Sequence, residues 1–324
     1  MKTSLKSSVL ILVALGLSLG MGTAYAAPYP TKPITYVIGS GPGSGTDIVA
    51  RFVAAVFEKY KLLPQPIVVE SKTGGNHAVA MAYVAGKKKD PYFLMGTTTL
   101  LLLTPLQKQG QVTYKDFTPI SNMSFDEHVM FVNPNSKFKS IKDVVEYAKA
   151  HPETVTMGGA HMGGAESINS YRFEQAAGIK LKYVGFGGGG DALVALLGGH
   201  IDIASGNPGE INELVKANKI RLIGAVTEKR LPGYPDCPTL KEQGVNITGL
   251  GMWRGVIAPG GIPEEARKTL EEAFLKFSKT EDYKKYHADN MVSEGYLDGA
   301  GFKAYLDRKN TEFTGILKGM GLIK

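Results

Sequence analysis

The chain has 324 residues, a formal charge of +7 and a single cysteine, Cys237. That length exceeds what one hydrophobic core ordinarily serves and points to two lobes, while one cysteine excludes a disulfide framework. The basic residues are dispersed, and their densest runs, at 87–89 and 284–285, lack the interleaved aromatics of a nucleic-acid surface. A mild positive field of this kind favours encounter with small anions.

The first 26 residues join Lys2 and Lys6 to an apolar stretch over 9–19 and close on Ala24-Tyr25-Ala26, the pattern of a cleavable secretory signal with the mature chain starting near Ala27. The stretch is shorter than the ~20 residues that span a bilayer, and no later segment is that long and apolar, so a soluble mature protein is expected. A lipid-anchored protein would carry a cysteine just after cleavage, and here none is nearer than Cys237. A freely diffusing periplasmic protein follows as the expectation.

From residue 34 onward, β-branched and aromatic runs alternate with helical periods. Residues 34–38 read as a first strand, 46–60 as a helix with Ile48, Val49, Phe52, Val53, Val56 and Phe57 on its inner side, and 66–70 and 92–95 as further strands. A second series follows: strands at 129–132, 155–157, 182–184, 201–204 and 220–226, with helices at 141–150, 165–177 and 191–197. Gly178 and Gly198-Gly199 stop two of these helices. Helices at 264–278 and 302–317 complete the pattern, which predicts an α/β protein with mostly parallel sheets flanked by helices.

Three glycine-rich segments, 39–45 (GSGPGSG), 158–164 (GGAHMGG) and 185–190 (GFGGGG), each follow a strand and precede a helix, and Gly74-Gly75 adds a shorter fourth. At such a junction backbone N–H groups and the positive end of the helix dipole face the same space, and glycine admits a ligand close to the backbone. A carboxylate fits that surface, although a tight turn alone would also explain each loop. Thr46 and Asp47 can cap the helix, contact ligand, or do both. The first loop lacks the Gly-Lys-Ser/Thr ending of a phosphate loop and has Thr46 where a dinucleotide fingerprint needs its third glycine. No Gly-x-Ser-x-Gly elbow, His-Glu-x-x-His or close His/Cys cluster is present, so no cofactor, metal or catalytic set is expected. His161 sits inside the second loop, where it can donate to a carboxylate or face solvent, and His128 in Asp126-Glu127-His128 is a weaker version of the same. Trp253 either packs at a hinge or lines a cleft.

Several segments together resemble the Bug (TctC-like) family, the extracytoplasmic receptors of tripartite tricarboxylate transporters. They include Tyr29-Pro30-Thr31-Lys32-Pro33-Ile34, Gly43-Ser44-Gly45-Thr46-Asp47 with Ala50-Arg51, Ile67-Val68-Val69-Glu70 before Gly74-Gly75, and Phe117-Thr118-Pro119-Ile120. Gly198-Gly199-His200-Ile201-Asp202, the run from Arg230 through Pro238-Thr239 to Glu242-Gln243-Gly244, and Trp253-Arg254-Gly255-Val256-Ile257-Ala258-Pro259 continue the likeness, which covers 29–322. The resemblance implies a Venus-flytrap fold: residues 27–126 plus 256–324 as one domain, 127–255 as the other, and hinges near 125–130 and 252–256. It also implies a carboxylate held mainly by backbone groups of the first two loops. The chain departs from the family pattern at Ser40, at Gly158-Gly159-Ala160-His161 and at Gly185-Phe186-Gly187-Gly188, where the family often has an aromatic or more hydroxyls, so a roomier cleft is expected.

Residues expected at the site are therefore Ser40, Gly41, Gly43, Ser44, Gly45, Thr46 and Asp47 from the first loop, and Gly158, Gly159, Ala160, His161, Gly163, Gly164 and Ser167 from the second. Thr97, Thr98, Gly188, Asp191 and Asn207 are candidates for the rest of the ligand. The expected function is a monomeric, non-enzymatic receptor that captures a small carboxylate and delivers it to a membrane permease. The rivals are an exported enzyme using His161 with Asp47, and a receptor that reports to a sensor kinase.

Overall fold

The computed structural model describes residues 29–107 and 111–324. The expected signal segment and the mature start at Ala27 lie outside these residues. In the first sheet β1 (Ile34–Ile38) pairs in parallel with the edge strand β2 (Ile67–Ser71) and with β3 (Phe93–Thr97). Beside β3 run β10 (Met252–Pro259), β4 (Phe117–Asp126) and β11 (Ser293–Asp298), all antiparallel to their neighbours. The second sheet has β6 (Thr156–Ala160) between its parallel partners β7 (Lys182–Phe186) and β8 (Ile203–Gly206), then β5 (Val129–Val132) and β9 (Arg221–Ala225) antiparallel.

Each sheet is thus mixed rather than mostly parallel. The reason is the connection between lobes: the chain leaves the first sheet on β4 and returns on the adjacent β10, with Met252 opposite Asp126, so the two must run in opposite directions. The expected domain boundary between 255 and 256 falls inside β10, and all of β10 pairs within the first sheet.

Side-chain alternation in the strands puts apolar groups on both faces, so each sheet needs helices on both sides. Ile34, Tyr36 and Ile38 join Val49, Val53 and Phe57 of α1 (Gly45–Lys59) and Leu270, Phe274 and Phe277 of α8 (Glu264–Phe277). Val37, between them in sequence, points the other way, into a core with α2 (Ala78–Ala85), α3 (Leu100–Leu106) and α10 (Gly299–Gly319). α9 (Glu281–Asn290) follows α8 along the same lobe. The second sheet repeats the design: Met130 and Val132 meet α4 (Ile141–Ala150) and α5 (Ala165–Ala177), while Val129 and Phe131 meet α6 (Gly189–Leu197) and α7 (Pro208–Lys216).

Where the lobes join, Trp253 packs and does not line the cleft. It is fully buried, stacked on Phe313 at 6.2 Å and edge-on to Tyr305 at 5.7 Å. Ala165 and Ile168 of α5 share that core with Leu100, Phe313 and Leu317, which draws the second lobe onto the first. One helix position differs from the periodic reading: Ile48, expected inside, is 41% exposed because it sits at the opening between the lobes.

Candidate functional site

The loops that follow β1, β3, β6, β7 and β8 all lie at the carboxyl ends of their strands, where open α/β sheets bind ligands. They converge from both lobes on one cavity of about 410 Å³. Helices α1, α2, α3, α5, α6 and α7 all start at its wall, and their starts differ. Ser44 caps α1, its Oγ accepting from Asp47 N–H at 3.3 Å. Gly164 and Gly188 begin α5 and α6, and Asn207 begins α7, without a side-chain cap among the described residues. In the first turn of α5 the Glu166 carboxylate accepts from its own N–H, and the first turn of α6 carries Asp191, so the remaining N–H groups of the two turns are those a ligand acceptor would meet.

Of the residues expected from the sequence, Ser40, Gly41, Gly43, Ser44, Gly45, Thr46, Thr98, Ala160, His161, Gly164, Gly188, Asp191 and Asn207 line this cavity. The other expected residues stand behind it. Asp47 braces the loop, accepting from Gly43 N–H at 2.9 Å and from Arg51 Nε at 2.9 Å. Thr97 is buried at the end of β3 with its hydroxyl on Thr98 O at 3.3 Å. Gly158 and Gly159 are packing positions: a Cβ on the first would meet Ile201 at 2.5 Å, and on the second Glu166 at 2.6 Å. Gly163 adopts φ +76° and its carbonyl accepts from Gln107 Nε2 of the other lobe at 3.0 Å. Ser167 is buried in α5, with its hydroxyl 3.9 Å from Met162 Sδ.

The cavity also collects residues that the sequence reading passed over, His77, Thr99, Glu166, Ser205, Glu210 and Arg254 among them. Arg254 is buried inside β10 and donates to Asp126 Oδ2 through Nε, at 2.8 Å, and through Nη2. Burial opposes its charge, but Asp126 outweighs burial and raises its pKa. His128 Nε2 lies 3.4 Å from Glu166 Oε1. Burial disfavours charge on both; their attraction prevails, holding the Glu166 carboxyl below its ordinary range and His128 above its own. His77 bonds Ser40 Oγ through Nε2 at 2.8 Å, and burial, with His161 and Arg254 nearby, pushes its pKa down to about 3, so it is neutral. Burial also lowers His161, against the pull of Glu166. Glu210 is pushed up by burial despite the attraction of Arg254.

One of these residues carried a legible signal. Arg254 is the one charge in the strand MWRGVIAP, and a buried charge demands a partner such as Asp126. Glu210 was masked by its spacing, since Asn207-x-x-Glu210 reads as a capping box. No such box forms, and the carboxylate turns to the cavity instead.

Among solved structures, the periplasmic binding protein BugD matches with a TM-score of 0.83 at 22% identity, over 91% of this chain and 100% of that one. An R. palustris protein solved with adipate matches with a TM-score of 0.84 at 23% identity, over 90% and 98%. At these identities the likeness is one of fold. Two α/β lobes whose loops meet at a cleft give the chain the fold of the periplasmic binding proteins. The family model described as the tripartite tricarboxylate transporter family receptor matches residues 49–322, and the chain belongs to that family. A UPF0065 protein from the ttuE-ttuC' intergenic region of Agrobacterium vitis is 30% identical over 252 residues, covering 76% of this chain and 71% of the relative.

Proposed function

We propose that this chain is exported behind a cleavable signal segment, captures a small carboxylate between its lobes, and hands it to the membrane permease of a tripartite tricarboxylate-type transporter. The observation that carries the reading is the pair of helix starts at Gly164 and Gly188, which open on the cavity with no side-chain cap among the described residues. A carboxylate supplies an acceptor to the remaining N–H groups of those first turns and the negative charge that the helix dipoles favour. Gly45 and Thr46 of the opposite lobe face the same space. A ligand touching both lobes favours the closed arrangement by differential affinity. The ligand of the R. palustris neighbour, adipate, belongs to the proposed class.

A thermal-shift screen of the mature protein against mono-, di- and tricarboxylates, amino acids and neutral sugars tests this. A ligand at a hundred times its dissociation constant contributes about 2.7 kcal/mol, and a melting-temperature rise of about 5 °C is expected for one class of acid. A shift with neutral sugars alone, and none with any carboxylate, overturns the reading.

A further inference from the structure

Two charged side chains around the cavity have no partner among the described residues: Asp191, exposed in the first turn of α6, and Glu210, part-buried in α7. Arg254 is committed to Asp126, and Glu166 faces His128. Glu210 has neither a hydrogen bond nor an ion pair among the described residues. Its carboxylate lies between two helix starts: Oε1 is 3.1 Å from where a Cβ on Gly45 would sit, and Oε2 is 2.3 Å from the same point on Gly189. Both positions need glycine for the carboxylate to fit there. Arg254 Nη2 approaches the Gly45 point at 2.6 Å, yet forms no ion pair with Glu210. Ser205, only 2% exposed, also lines the cavity, and its hydroxyl has no partner among the described residues.

The cleft thus has two kinds of unmet demand. The glycine-started helices α5 and α6 offer N–H donors and positive dipole ends to a negative group. The Glu210 carboxylate calls for a donor, and a positive one serves it best because charge-assisted bonds are the stronger ones. A ligand with two carboxylates would set its second negative charge against Glu210 in a space that closure dries. We infer that the preferred ligand is a carboxylate that also carries a protonated amine, with its ammonium on Glu210 and its carboxylate at the glycine-started helices. This rests on the carboxylate-receptor reading and narrows it. Burial, which pushes the Glu210 carboxyl upward, leaves one competing arrangement: a protonated Glu210 that donates to a second ligand carboxylate.

Matched acids separate the two: 4-aminobutyrate with butyrate and succinate, and aspartate with malate and succinate. Titration calorimetry with the wild-type protein should show an amino member binding more tightly than its amine-free counterparts. In Glu210→Gln, which keeps the shape and removes the charge, affinity for that amino acid should fall about 10- to 100-fold, while affinity for the amine-free dicarboxylate should rise. If the amine-free dicarboxylates bind more tightly to the wild type, or if Glu210→Gln leaves the amino acid's affinity unchanged, the inference is overturned and the carboxylate receptor stands. If no acid of either kind binds the wild type, both fall together.

Discussion

In the first lobe the glycine loop satisfies itself. Ser44 caps α1 and returns a bond to Gly41 O at 2.8 Å, and Asp47 closes the loop from the other side through Gly43. The second-lobe loop has the same left-handed glycine, at φ +76° in both Gly43 and Gly163, but α5 starts at Gly164 with no side-chain cap among the described residues. This loop has a backbone bond of its own, from Gly164 N–H to His161 O at 3.0 Å, and a further tie from Gln107 of the opposite lobe. A loop that is internally satisfied is a wall, whereas one whose helix starts without a side-chain cap is where an anion gains most. The first loop should therefore govern stability and the second should govern binding and closure.

The largest effect expected from breaking this contrast is in the first loop. Asp47→Ala removes the acceptor for Gly43 N–H and the partner of Arg51, and losing hydrogen bonds to a charged, buried acceptor costs about 2 kcal/mol. Burial works against the Asp47 carboxylate, but Arg51 and Gly43 outweigh it and hold its pKa below the ordinary range. Its contribution is therefore complete above the ordinary carboxylate pKa and is lost as pH falls through the depressed value. Urea unfolding should show the gap between wild type and variant at neutral pH and its closure in strong acid. A gap that persists in strong acid would assign the loss to packing rather than to the carboxylate.

A smaller effect distinguishes the two left-handed glycines directly. Alanine at either position costs about 1 kcal/mol of backbone strain. At Gly43 the new Cβ meets open space, whereas at Gly163 it falls 2.1 Å from Gln107 Oε1 and must displace the bond between lobes. Gly163→Ala should therefore lose carboxylate affinity and show a larger radius of gyration in solution scattering, and Gly43→Ala should lose stability only. Equal effects of the two on scattering and binding would mean that the Gln107 contact has no part in closure.

Much of this frame could be read before the fold was known. Val37 between Ile34, Tyr36 and Ile38 reads as a strand buried on both faces, and the glycines after 38, 157 and 184 mark loops that do converge on the cavity. Other elements were hidden for local reasons. Pro119 argues against a strand, yet it sits in β4 next to a register shift that accommodates it. Leu100–Leu106 is apolar on every side and lacks a helical stripe, and Glu281–Asn290 is too polar to show one. Strand direction leaves no local trace, so the mixed sheets came from topology alone. At the site, His77 and Glu210 were invisible because what matters is which space they face. That depends on contacts across 37 residues in one case and on an unformed capping box in the other.

The smallest change in stability carries the sharpest contrast. Gly188 starts α6 in an extended conformation, φ −175°, open to any residue, and a Cβ there meets nothing within 4 Å. Gly188→Ser should place a hydroxyl where it accepts from the first turn of α6, as Ser44 does for α1, and stabilise the fold by about 0.5 kcal/mol. The same hydroxyl then competes for the donors offered to the ligand. Unfolding midpoint and carboxylate affinity should move in opposite directions, the first up and the second down. If affinity holds while stability rises, the first turn of α6 is not part of the anion seat, and the carboxylate is left to Gly164 and the start of α5.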